Sequence, residues 1–242
     1  MIIINNNSIL RSPPKLLHPD QIIVFNAIRY SVDICEVTFN RLEKNLFDFT
    51  FTPQNGNFIS LIFSDVWTII NNATILKKVI KKHFNIDDND PLLIGLKKLE
   101  GLRNSNQHIE ERIDQIKSFD DLPPIYGVIS WLSKEDENSD EGMLSIIYSG
   151  TINKDKVTHP VNPADKINRK KVNDIKFTGI ERKGRTDIFF ETSVYINKIM
   201  DDIKNIIDHF EIKISEDLKD VDYSDRHKSD IIIQLKTKEV IV

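Results

Sequence analysis

One cysteine in 242 residues, Cys35, leaves the chain without an internal disulfide, so a secreted, cross-linked scaffold is excluded. Glycine is scarce too. Its eight copies form no Gly-x-Gly-x-x-Gly or phosphate-loop pattern, which removes the glycine-rich cradles of many nucleotide-dependent enzymes. No nucleophile elbow supports a Ser/His/Asp triad. The histidines are scattered, no Cys/His pair has zinc spacing, and neither a metal nor another cofactor is expected. No run approaches the roughly 18 apolar residues of a membrane span, and the N-terminus lacks the basic region of a signal peptide. A net charge of −4 excludes a globally basic nucleic-acid coat while leaving room for a local patch. A soluble, cytoplasmic protein without membrane association is expected.

What is present is helical periodicity. Residues 1–18 contain Pro13-Pro14 and read as an extended lead-in. A first helix starts near His18-Pro19-Asp20, because proline suits a first helical turn. Ile22, Phe25, Ile28, Val32, Cys35, Phe39, Leu42 and Leu46 then recur at steps of three and four. Pro53 and Asn55-Gly56 break the pattern. A second stripe runs from Phe58 through Val66, Ile70 and Ala73 to Ile80. A third runs from Leu92 through Leu96, Leu99, Leu102, Ile109 and Ile113 to Ile116, with Asn106 in an otherwise apolar slot. Pro91 suits the first turn of this third helix, and Gly101 is the expected kink or break.

Beyond Pro123-Pro124 the period shortens. Residues 125–132 and 143–149 read as strands around an acidic loop, and residues 172–180 and 186–190 as a hairpin. Helical spacing returns from Val194 to Phe210. The expected fold is mainly α with a β element (α+β). Residues 19–212 form a four-helix bundle carrying a β insertion at about 125–190, between the third and fourth helices. Residues 213–242 form a charged tail or edge strand.

Chemistry concentrates in the third helix. Arg103 and His108 stand at an Arg-x4-His spacing, with Asn104 directly after the arginine. Arg11 and His18 nearly repeat the spacing, but Pro13-Pro14 between them forbids a regular helix. An imidazole can move a proton near neutral pH, and a guanidinium holds a phosphate and the charge that builds on it. Attack by an RNA 2′-hydroxyl needs no metal. Within residues 166–185, eight basic side chains face two acidic ones, which makes Lys170, Lys171, Arg182, Lys183 and Arg185 candidates for contact with an RNA backbone. Glu211-Ile-Lys213 has the Glu-x-Lys spacing of metal-dependent nucleases but lacks a strand aspartate to complete it. Trp67 and Trp131 read as core or interface residues.

A helical bundle with Arg103-Asn104-Ser105-Asn106-Gln107-His108 resembles the HEPN superfamily (higher eukaryotes and prokaryotes nucleotide-binding). The trailing Glu110-Glu111-Arg112 is similar to a bacterial subset of that family. The resemblance implies a metal-independent endoribonuclease with Arg103 and His108 as catalytic residues and Asn104 as their polar companion. It also implies a homodimer whose interface brings the arginine and histidine of two subunits together, in a toxin, phage-defence or RNA-processing setting with a possible regulatory partner protein. The alternative is a non-catalytic HEPN-like dimerisation or nucleotide- or protein-binding module.

Overall fold

The computed structural model describes residues 1–51, 57–116, 124–135, 142–150, 171–182, 189–220, 222 and 224–234, with backbone alone for Phe51 and residues 114–116. Helix α1 (Pro19–Phe51) begins as expected at Pro19. His18 caps it: the Asp20 N–H donates to His18 Nδ1 at 3.3 Å, and the Gln21 side chain reaches back to accept the His18 N–H at 2.9 Å. Helix α2 (Asn57–Phe84) packs antiparallel along α1 and ends at Asn85, whose φ of 53° is the left-handed conformation that closes helices. The stripes expected from the sequence are the buried ones, from Phe25 to Leu46 on α1 and from Ile62 to Ile80 on α2. Arg41 on α1 clasps the fully buried Asp65 on α2 through Nε at 3.1 Å and Nη2 at 2.5 Å. By length and composition α2 is apolar enough to cross a membrane, contrary to the reading of its sequence. More than half of that window (56%) is buried inside the fold, as a core helix requires.

The third helix differs from expectation. Residues 91–93 form turns, Ile94–Leu96 a single 3-10 turn, and two short helices follow, α3 (Leu99–Gln107) and α4 (Ile109–Ile116). Pro91 therefore sits in a turn. Lys77 of α2, itself buried, reaches Glu100 and Asp88 at 3.1 Å each and so ties α3 and the preceding turn to α2.

The β segments form one antiparallel sheet in the order β2-β1-β3-β4: β1 (Val128–Lys134), β2 (Gly142–Tyr148), β3 (Lys171–Arg182) and β4 (Phe189–Tyr195). Alternation places Ile129 and Trp131 of β1 inward. On β3 a bulge between the partners of Ser130 and Leu132, with Asp174 at φ 49°, shifts the inward set from Val172 to Ile175, Phe177 and Gly179. β4 carries Val194 and Tyr195, so the last helix starts two residues later than its periodicity suggests. That helix, α5 (Ile196–Asp217), buries Ile199, Met200, Ile203, Ile206, Ile207 and Phe210 against the sheet and α2.

The sheet is part of the core, not an appended element. Trp131 and Phe177 are fully buried; Trp131 donates from Nε1 to Thr50 of α1 at 3.0 Å, and Trp67 of α2 meets Phe177 edge-on at 4.9 Å. One apolar cluster runs from Ile3 to Phe210. The described residues thus form an α+β fold of five α-helices and a four-stranded sheet, with helices covering one sheet face.

The N-terminal segment, expected to be an extended lead-in, is a run of turns that buries Ile3, Ile4 and Leu10. Part of the C-terminal region crosses it. His227 N–H donates to Pro13 at 2.8 Å, and the buried Arg29 of α1 holds Asp230 with two bonds of 2.7 and 2.8 Å. Residues 235–242 lie outside the described residues. Arg11 bonds Asp33 at 2.7 Å and the Ile4 carbonyl, which accounts for the second arginine–histidine spacing as a fold contact.

Candidate functional site

Helix α3 is seated on α2 and β3 by Leu99 and Leu102. Gly179 of β3 makes room for Leu102, whose Cδ2 would stand only 2.9 Å from a Cβ there. Gly101 is no kink. The Glu181 carboxylate of β3 lies against it, so close that a Cβ at Gly101 would fall 2.0 Å from Glu181 Oε2. Burial raises the Glu181 carboxyl above the usual carboxylate range, against the pull of Thr192 and of the Lys98 charge.

The helix breaks at His108 instead. Its φ of −114° and ψ of 36° leave the helical region, its N–H still closes the last turn on Asn104 O at 3.2 Å, and its carbonyl accepts the Arg112 N–H that begins α4. Asn104, Ser105 and Asn106 just before the break compete poorly for helix compared with alanine or leucine, and packing holds Gly101 while nothing comparable among the described residues holds His108. The break leaves the imidazole exposed, with Nδ1 3.6 Å from Glu111 Oε1.

The predicted catalytic residues divide accordingly. Asn104 and His108 are exposed and linked through the backbone bond. Arg103 is half-buried on the flank of α3; its Nε is enclosed and meets no acceptor among the described residues, and no bond joins it to His108. His108, Glu110 and Glu111 can bring one ligand atom each within 4.8 Å of the others, an exposed cluster that the sequence pattern did not single out. Arg112, four residues after His108, is a packing residue. It is buried, lies 5.6 Å over the Phe189 ring of β4, and has its guanidinium pulled below its ordinary value by burial and then by nearby Arg182.

The basic candidates are spread out. Lys170, Lys183 and Arg185 fall outside the described residues. Lys171 and Arg182 occupy opposite ends of the 12-residue β3, roughly 35 Å apart along the strand. Lys171 acts on Glu43 of α1, whereas Arg182 stands by Arg112 at the α4 end.

A cleft of about 800 Å³ opens beside α3, between α2 and the start of the sheet. Phe63, Trp67, Tyr126 and Tyr148 give it aromatic walls, and Asn71 and Asn106 give it amides. The Asn71 Oδ1 is buried without a hydrogen-bond partner among the described residues. Asn106 is the residue that interrupts the apolar stripe in the sequence, and that interruption was the signal for the cleft. Arg103 lies at i−3 from Asn106, a neighbouring position on the helix surface.

Comparison of the chain with protein-family models, curated proteins and solved structures finds no match. Chemical argument therefore rests on the corner itself. It combines a half-buried guanidinium with an enclosed Nε, an accessible imidazole beside a carboxylate, and an aromatic cleft adjoining the same helix.

Proposed function

We propose that the α3–α4 corner binds RNA and cleaves it without a metal, in the manner of HEPN endoribonucleases. The observation that carries this reading is Arg103, whose enclosed Nε has no acceptor among the described residues. A half-buried guanidinium still offers its accessible amino groups to a phosphate through charge-assisted bonds, and a small shift of the side chain would pair its Nε as well. The aromatic cleft reached through Asn106 offers ring faces on which a neighbouring base stacks.

In the reaction, His108 takes the proton of the 2′-hydroxyl, the 2′-oxygen attacks phosphorus, and the 5′-oxygen leaves with a proton from solvent or from a second histidine. Arg103 neutralises the charge on the phosphoryl oxygens, and Asn104 orients the imidazole or the phosphate. In this reading α1, α2, α3 and α5 stand for the four helices of a HEPN-type bundle, with the sheet added between the third and fourth. A homodimer shares the site, and a toxin or phage-defence setting with a regulatory partner follows from the same resemblance. A second reading, a non-catalytic RNA- or protein-binding module, draws on the absence of any bond between Arg103 and His108 within one chain.

The test is cleavage of a mixed RNA pool in EDTA by the native chain, by Arg103→Ala and by His108→Ala, with thermal unfolding run alongside. Cleavage that both substitutions abolish in folded protein supports the ribonuclease. Cleavage that EDTA abolishes points instead to a cation at His108, Glu110 and Glu111. Binding without cleavage selects the module.

A further inference from the structure

Among the described residues that line the cleft beside α3, none carries a charge. A phosphate finds no partner inside it, whereas a neutral ring does. The rear wall is fixed: Phe63 and Trp67 of α2 are buried, and Trp67 Nε1 donates to the Tyr126 carbonyl at 3.2 Å. The rim is accessible, with Tyr126 and Tyr148 each 46% exposed. Ser149 ties together the backbones that carry these two tyrosines. Its hydroxyl accepts the Tyr126 N–H at 2.8 Å and donates to the Gly127 carbonyl at 2.9 Å. Gly127 permits that turn at φ 96°, and a Cβ there would also strike the Phe177 ring at 2.5 Å. Two half-exposed rings in front of a fixed aromatic wall suit stacking on a planar ligand.

Two amides narrow the choice of ring. Asn71 of α2 and Asn106 of α3 line the same cleft, and Asn106 stands where the apolar stripe of its segment calls for a packing residue. The Asn71 Oδ1 is buried and unpaired among the described residues, and rotation of its amide turns it into the cleft. An amide sets an acceptor beside a donor, so it pairs with a base edge that shows a donor beside an acceptor. Adenine shows that pattern on two edges at once, because its N6 amino group stands between N1 and N7. Each amide oxygen takes one N6 hydrogen, and each amide nitrogen donates to N1 or N7. Guanine has two acceptors, O6 and N7, on the corresponding edge, and a pyrimidine has a single edge to offer.

We propose that this cleft is an adenine subsite, in which Tyr126 and Tyr148 stack the ring and Asn71 and Asn106 read its two edges. It rests on the ribonuclease reading for one point, the place of the phosphate. Arg103 precedes Asn106 by three residues and is its neighbour on the helix surface, so a phosphate held there belongs to the nucleotide whose base enters the cleft. Both edges of the base are free only in an unpaired strand, which makes single-stranded RNA the substrate and sets cleavage next to adenosines.

The experiment uses nucleosides, which carry no phosphate, and the full chain. Binding of adenosine, guanosine, cytidine and uridine is followed by saturation-transfer NMR at low and high salt. Adenosine is expected to bind about 10-fold or more tightly than the others, with an affinity that salt leaves unchanged, unlike a phosphate contact. Tyr148→Ala is expected to weaken adenosine binding about 10-fold. Asn106→Leu continues the apolar stripe and so keeps the fold, as thermal unfolding checks, and it is expected to bring adenosine level with the other three. A native chain that binds no nucleoside, binds all four equally or prefers another base overturns the proposal. So does an Asn106→Leu chain that keeps the adenosine preference, or an affinity that falls steeply with salt. Cleavage of the RNA pool without preference for adenosines overturns the subsite and leaves the ribonuclease standing. Adenosine binding by a chain that cuts no RNA does the reverse.

Discussion

Substituting Gly179 by alanine drives a methyl group into the seat of α3. The new Cβ would stand 2.9 Å from Leu102 Cδ2 and 3.0 Å from Phe177 Cε1, and both partners are fully buried with no solvent to swing into. Overpacking of this kind costs about 1–3 kcal/mol, and removing a strand glycine returns about 0.5 kcal/mol of chain entropy. A net loss of about 0.5–2.5 kcal/mol is expected. Leu102→Ala alone costs about 2–5 kcal/mol through lost transfer energy and a cavity. In the double variant the methyl occupies space that Leu102 has vacated, so the combined loss falls about 1–2 kcal/mol short of the sum. Urea unfolding followed by far-ultraviolet circular dichroism measures all four corners of the cycle. Additivity within about 0.5 kcal/mol, or a Gly179→Ala chain as stable as the native one, would refute the seating of α3 on β3 through Leu102 and Gly179.

Three further outcomes follow from buried and paired groups. Arg29, with Tyr30, holds the Asp230 carboxyl down at about 2, below its ordinary value. The stabilisation it contributes is present above the ordinary aspartate range and is lost as pH falls from about 4 towards 2, so protease cutting within residues 224–234 should increase in that window, and Asp230→Asn should show the loosening already at neutral pH. Glu181 is the opposite case, a carboxyl raised by burial, which burdens the fold once ionised. Glu181→Gln is expected to raise the urea midpoint at pH 7, with the gain vanishing in acid; an equal gain at pH 3 would contradict the assignment. Burial lifts the Cys35 thiol to about 12, so a disulfide reagent at pH 8 should label it only at the rate of unfolding.

Local signals in the sequence read well where helix and strand periods are long. The inner stripes of α1, α2 and α5 and the His18-Pro19 start follow from side-chain spacing alone. So does the position of the β segments between the third and fourth helical stripes. The third helix read less well. Leu99, Leu102, Ile109 and Ile113 fit one continuous stripe, yet the chain breaks at His108, because a run of weak helix formers yields there while the Glu181 contact holds Gly101 in place. Spacing could not reveal that contact, since Glu181 is eighty residues further along the chain.

The sequence by itself determined which residue types stand together: Arg103, Asn104 and His108 on one short segment, and an amide at position 106 in an apolar line. Tertiary structure decided what those residues face. It left the Arg103 Nε enclosed without an acceptor among the described residues and His108 exposed beside Glu111, turned Arg112 onto Phe189, and separated Lys171 from Arg182 by the length of a strand. Periodicity is a property of neighbours in the chain, so the sequence expresses it directly. Exposure and partnership are properties of distant segments brought together by burial, as when Trp131 and Phe177 draw the sheet into the helical core.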